Sequence, residues 1–239
     1  MRKRMLWKDI RKTFSNSWGR FLSIMMLMAL GSFALVGLFV TGPDMRETGE
    51  HYFEKLNIAD ITIIGDYGIN EIDQSTIEKA SDIKEIEYVY LKDVVVKNTK
   101  ISFRIFSKPE TISKYEVVEG RMPKADDEIA IDSVYRNEYK IGDTINFTEN
   151  PDITGAKILK KHDFKVVGYI NSGEILSSIN RGQTTAGTGE LNSFAVVNKE
   201  VFDSDVYMMA KITFKDTQGV DPYSDEYVDL IQAHKDNLS

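Results

Sequence analysis

The residue types that carry most protein chemistry are sparse and scattered in this 239-residue chain. There is no Cys, which removes thiolate nucleophiles, Cys-ligated zinc and iron–sulfur clusters. The three His, at 51, 162 and 234, lie far apart and in different predicted elements. None belongs to an HExxH or Glu-x-x-His set, so each is expected as a surface residue. Asp126-Asp127-Glu128 groups three carboxylates but lacks the spaced oxygen ligands of a calcium loop, and reads as a solvated turn. The stretch RGQTTAGTGE (181–190) is rich in Gly and Thr, yet it lacks the Gly and Lys order that cradles nucleotide phosphates. No G-x-S-x-G elbow or S-x-x-K pair activates a serine. Asn146-Phe147-Thr148 is a formal glycosylation sequon, with meaning only in a eukaryotic secretory setting. No catalytic, cofactor-binding or metal-ligating residue is assigned.

Charge and apolarity are strongly segregated along the chain. Residues 1–20 carry Arg2, Lys3, Arg4, Lys8, Arg11, Lys12 and Arg20 against Asp9 alone, a net +6, which leaves −13 on the rest. Between them Phe21 to Val40 is free of charge for twenty residues. At 1.5 Å rise per residue such a run crosses the roughly 30 Å hydrocarbon layer. It is too long for the apolar part of a signal peptide, and VTGPDMRE beyond it offers no small-residue cleavage site. The expected organisation is a basic leader over 1–20, a membrane span over 21–43, an extracytoplasmic domain over 44–221 and a terminal helix over 222–239. Basic flanks stay on the cytoplasmic side, which places the N-terminus inside and everything after about Thr41 outside.

Two patterns refine the anchor. Trp7, Ile10, Phe14 and Trp18 share one helical face, as in a basic amphipathic helix lying in the inner headgroup region. Gly31, Ala34, Gly37 and Thr41 form a strip of small residues on the span, the surface against which a second helix packs closely. The expected partners are therefore membrane lipid and, along this strip, other transmembrane helices or a second copy of the same subunit. The acidic exterior disfavours nucleic acid.

Beyond Gly42-Pro43, read as a helix stop, Asp44–Leu56 predicts a helix that continues or restarts outside the membrane. Strands are expected over 57–65, 87–97, 100–106, 128–132, 143–147, 164–170, 194–198 and 206–214, with Asn98-Thr99 turning a hairpin. Short helices are expected over 74–81, capped by Asp73, and over 133–138 and 199–203. A last helix is expected over 222–236. Ser172–Asn192, poor in apolar residues, predicts a mobile loop. The sum is an α+β domain whose strands pair through turns rather than regular βαβ crossovers.

Gly120-Arg121-Met122-Pro123, Glu128-Ile129-Ala130-Ile131, Ile141-Gly142-Asp143-Thr144-Ile145 and Phe164-Lys165-Val166-Val167-Gly168 follow one another in order. With the leader and span KDIRKTFSNSWGRFLSIMMLMALG and the ADITI stretch at 59–63, this set resembles the FtsX-like, MacB-type permeases of ABC transporters. The resemblance covers nearly the whole chain except its tail. It implies a bacterial cell-membrane location, a MacB-like extracytoplasmic core domain and a separate cytoplasmic ABC ATPase as partner. By the same resemblance, ATP hydrolysis inside is coupled to movement of the outer domain, for export or mechanotransmission, and no enzyme activity is expected of the chain itself. Family permeases have several spans and cytoplasmic coupling loops; one span is visible in this chain, so no ATPase-contacting residue is carried over. A fragment or truncated copy is expected, with 222–239 as the start of a coiled-coil insertion. The alternative is a single-span, membrane-anchored extracytoplasmic binding or sensor protein. Gly120, Gly142, Pro123 and Asp143 are expected to shape turns.

Overall fold

The computed structural model describes residues 5, 7–8, 11–14, 17–150, 157–177 and 181–238. Ile10, in the expected leader stripe, lies outside the described residues. The chain divides into two units, residues 1–49 and 50–239.

The first unit is dominated by helix α1, Trp18–Leu56, which continues into the second. The expected stop at Gly42-Pro43 does not occur, because Pro43 lies inside the helix. A proline there removes one backbone donor. The turns on either side are reinforced by hydroxyls bonded back along the helix, Thr41 Oγ1 to Gly37 O at 2.7 Å and Thr48 Oγ1 to Asp44 O at 2.7 Å. What ends α1 is Asn57, whose φ of 49° is left-handed. Its N–H donates to Glu54 O at 3.0 Å and that of Ile58 to Phe53 O at 3.1 Å, the paired bonds of a Schellman cap with Asn in the glycine position.

The second unit contains two sheets. Strands β1 (Ile61–Ile69), β2 (Ile83–Val89) and β10 (Tyr207–Phe214) form an antiparallel sheet in the order β1-β10-β2. Helices α2 (Glu71–Ile77) and α3 (Asp225–Leu238) accompany it. Ile61, Ile77, Ile212, Phe214 and Ile231 make its core. The cap of α2 differs from expectation. Asn70 is the N-cap, and Asp73 is the third helical residue that reaches back to the Asn70 N–H, completing a capping box.

Between β2 and β10 the chain builds a barrel. Its strands are β3 (Leu91–Val96), β4 (Ser102–Ser107), β5 (Tyr115–Gly120), β6 (Glu128–Asp132), β7 (Thr144–Thr148), β8 (Asp163–Ser172) and β9 (Ser193–Val197). The order β8-β6-β9-β4-β3-β7 closes because β7 also pairs with β8, and β5 adds to the free length of β8. Alternation along each strand fills the interior. Phe103 and Ile105, Ile129 and Ile131, Ile145 and Phe147, and Phe164 and Val166 all point into one core. The residues between them on β6 and β9, Ala130, Phe194 and Val196, join Val89, Phe106 and Ile170 in a second cluster. These strands are buried on both faces for that reason.

Three expectations change. The single strand over 87–97 is two strands in different sheets, parted at Tyr90. The Tyr90 N–H donates to Ser107 Oγ at 3.0 Å and its carbonyl accepts from Ser107 N at 2.9 Å. Its ring lies between Phe202 and Tyr207, at 5.3 and 4.5 Å, so the side chain pins the crossing. Pairing through turns holds for the β3–β4 hairpin, but β4–β9 and β6–β8 are parallel. The short helices expected over 133–138 and 199–203 are 3₁₀ turns, Ser133–Asn137 and Lys199–Val201.

Candidate functional site

The four sequence stretches beginning at Gly120, Glu128, Ile141 and Phe164 converge on one corner of the barrel. Gly120 ends β5 with φ +78°, and a Cβ there would sit 2.3 Å from Val167 O. Across the β5–β8 pair, a Cβ on Gly168 would meet Arg121 O at 2.4 Å. Only glycine allows these two backbones so close. Arg121 N then donates to Val167 O at 3.0 Å, Gly142 N to Val166 O at 2.8 Å and Lys165 N to Asp127 O at 2.7 Å. Gly142 has φ +102°, and Asp143 Oδ2 accepts the Lys140 N–H at 2.7 Å, closing the turn as expected.

Charge finishes the corner. Arg121 grips Glu128 with two guanidinium–carboxylate bonds, at 2.6 and 2.5 Å. Glu128 Oε2 also accepts the backbone N–H of Lys124 and of Ala125. Arg121, followed by those backbone groups, holds the Glu128 carboxyl at about 2. The acidic triplet at 126–128 is thus part of a turn organised by Arg121. Among the described residues no cluster of three or more His, Asp or Glu is arranged to hold a metal ion.

The small-residue strip lies on α1. Nothing stands within 4 Å of a Cβ built on Gly31 or Gly37. Thr41 turns its hydroxyl back onto the Gly37 carbonyl at 2.7 Å. Phe14, Trp18 and Phe21 meet edge-on or tilted, with centroids 4.8 to 6.2 Å apart.

The His residues depart from a uniform surface role. His51 is exposed. His162 is half-buried and meets the buried Glu149 at 3.0 Å. His234 is buried, stacked on Phe214 at 3.7 Å and bonded to Asp216 at 2.9 Å. The expected mobile loop over 172–192 is packed through its described second half. Thr184 Oγ1 donates to Asp93 Oδ2 at 2.6 Å, Gln183 bridges Glu190, and Ala186 and Leu191 are buried. Arg181 in the same segment reaches Asp132. The Thr184–Asp93 and Arg181–Asp132 pairs join positions tens of residues apart, and no local periodicity marks them.

No family model matches the chain, and no curated protein matches it. Among solved structures, the chain is similar to the extracellular domain of the noncanonic ABC-type transporter YknZ from Gram-positive bacteria. The identity is 12% over 74% of this chain and 95% of that one, with a TM-score of 0.37. It is similar to the periplasmic region of MacB from Actinobacillus actinomycetemcomitans at 11% identity, covering 72% and 76% of the two chains, with a TM-score of 0.34. A domain of a putative permease protein from Porphyromonas gingivalis is similar at 10% identity over 73% and 79%, with a TM-score of 0.32.

Proposed function

We propose that the chain is the first span and extracytoplasmic domain of a permease subunit of the FtsX/MacB type, anchored in a bacterial cell membrane with its N-terminus in the cytoplasm. The observation that carries this reading is the convergence just described. Four stretches whose order resembles the family pattern form a single hydrogen-bonded corner, in a chain that also has an exposed helix long and apolar enough to cross a membrane. Residues matched only by chance along the sequence have no reason to meet in space.

In this reading a separate cytoplasmic ABC ATPase supplies the energy, and it acts through parts of the permease outside this chain. Other spans pack against Gly31, Ala34, Gly37 and Thr41, where two helix backbones approach closely and gain dispersion contacts. Motion of those spans reaches the outer domain, which moves a substrate or a partner. The barrel suits such a relay because closure fixes the stagger of its strands.

The test is purification of the chain from its native membrane in mild detergent, followed by photolabelling with azido-ATP. The expected result is a co-purifying nucleotide-labelled subunit together with further transmembrane segments. A chain that leaves the membrane alone, with no labelled companion at several detergent strengths, overturns the proposal.

A further inference from the structure

A cavity of about 260 Å³ opens beside the Arg181–Asp132 pair. The pair is unusual in what it leaves unmet. The Arg181 side chain is 5% exposed and that of Asp132 2%, and Arg181 Nη1 stands 2.6 Å from Asp132 Oδ2. Neither Nη1 nor Nε makes an aligned hydrogen bond, and the guanidinium rests over the Phe194 ring at 5.3 Å. A buried donor without an acceptor is costly, and in a native protein it asks for a missing ligand, ion or water.

The rest of the lining shows which kind of ligand fits. Its acceptors are already engaged. Asp132 Oδ1 takes the Val134 N–H at 3.1 Å, Asp132 Oδ2 takes the Ser193 hydroxyl at 3.3 Å, and Asn171 Oδ1 takes the Ser133 hydroxyl at 2.6 Å. Its donors are in surplus. Ser172 Oγ accepts the N–H groups of Glu174 and Ile175 at 3.1 and 3.2 Å, which leaves its own proton to give away. Arg181 adds its unmet N–H groups. Burial raises the Asp132 carboxyl above its ordinary value, ahead of the opposing pull of Val134 N–H and Arg181. At the mouth, Leu176 and Val134 are 65% and 51% exposed, an apolar rim around a donor-rich floor.

We infer that this cavity binds a monocarboxylate carrying an apolar tail, its carboxylate seated on Arg181 and Ser172 and its tail against Leu176 and Val134. A guanidinium matches a carboxylate in shape and charge, and a single Arg partly balanced by Asp132 suits one negative charge rather than two. The carboxylate is either that of a free short-chain acid or the C-terminus of a peptide ending in an apolar residue. The site goes beyond the permease reading and does not depend on it.

The test is calorimetric titration of the full chain, reconstituted in nanodiscs, with hexanoate, with hexan-1-ol, and with a tripeptide ending in leucine whose C-terminus is free or amidated. Saturable one-to-one binding of hexanoate or of the free-acid peptide is expected, with no saturable binding of hexan-1-ol or of the amidated peptide. Tighter binding of the peptide assigns a peptide C-terminus, and tighter binding of hexanoate assigns a free acid. Arg181→Met, with its fold checked by circular dichroism, is expected to abolish binding. Leu176→Glu and Leu176→Lys both lose the apolar contact and differ only in the sign of an exposed charge, so they keep the test decisive if Arg181→Met unfolds. The Lys variant is expected to bind the carboxylate more tightly than the Glu variant by about fivefold or more, the Coulomb effect of nearby charge in water. No saturable binding of either carboxylate, equal binding of hexan-1-ol, binding unchanged in folded Arg181→Met, or equal carboxylate binding by the two Leu176 variants would overturn the assignment.

Discussion

Phe33 and Phe103 are the same side chain in two regions with opposite surroundings. Phe33 stands 81% exposed on α1, among Leu30, Leu38 and Phe39, which are exposed as well, whereas Phe103 is wholly enclosed inside the barrel. In the barrel, apolar residues alternate inward and the chain hides them from water by pairing strands. On α1 the apolar residues face outward on every side and no charge interrupts them from Phe21 to Val40. A helix apolar all round needs an apolar solvent. The difference teaches that burial in this chain is supplied by the fold in one region and by lipid in the other.

Substituting the two phenylalanines breaks or confirms that contrast. Phe103→Ala is expected to cost the domain about 3–5 kcal/mol, read by chemical denaturation. Phe33→Ala is expected to leave the domain's denaturation midpoint unchanged within error. Equal losses at both positions would mean that α1 is packed like a core helix.

Next in size, Leu27→Arg places a charge in the middle of the apolar run, where it costs about 2.5–3.5 kcal/mol on insertion scales. Much of the chain should then move from the membrane pellet to the soluble or degraded fraction in carbonate extraction. An unchanged pellet fraction would argue against a lipid-facing position.

The small-residue strip gives a lesser effect. Gly31→Leu with Gly37→Leu should weaken association with neighbouring spans by about tenfold, or about 1.4 kcal/mol, measured by crosslinking in membranes. Unaltered crosslinking would remove the packed interface.

The smallest effect sharpens the barrel side of the contrast through the Arg121–Glu128 corner. A carboxyl held below its ordinary value adds stability that is fully present above that value and is lost as pH falls through its folded value. For Glu128 the window runs from 4.5 down to about 2. The melting temperature of Arg121→Met should lie slightly below that of the parent at neutral pH, and the two curves should converge across this window. Parallel curves down to pH 2 would show that the pair adds nothing to the fold.

Much of the architecture was legible because it is written in local alternation. Glu128–Asp132 was readable to the residue for another reason, as the short apolar run Ile129-Ala130-Ile131 is bounded on each side by an acidic residue and a turn. What alternation does not encode is where a strand changes sheet. Glu87 to Lys97 reads as one extended run, and only the Tyr90 ring, held by Phe202 and Tyr207 from more than a hundred residues away, divides it. Edge strand β5 escaped for a related reason, since its Glu116–Gly120 positions are half-buried or exposed and give no inward stripe. Arg181 was hidden inside a stretch whose composition signals a loop, and its partner Asp132 lies in another element. His234 looked like a residue on a charged helix, yet α3 turns it onto Phe214. The turn glycines were readable, because Gly120 and Gly142 adopt the backbone conformations their residue type favours.

Lipid around α1, with the acidic domain on the far side, is the claim on which the rest depends, and the chain's lack of Cys allows a direct measurement. Tyr67→Cys, at a position 86% exposed in the domain, and Met5→Cys, 74% exposed in the leader, each introduce a unique thiol. On intact cells a membrane-impermeant maleimide is expected to label Tyr67→Cys at once, and Met5→Cys only after permeabilisation. The reverse pattern, or labelling of both thiols before permeabilisation, would contradict a span with its N-terminus inside.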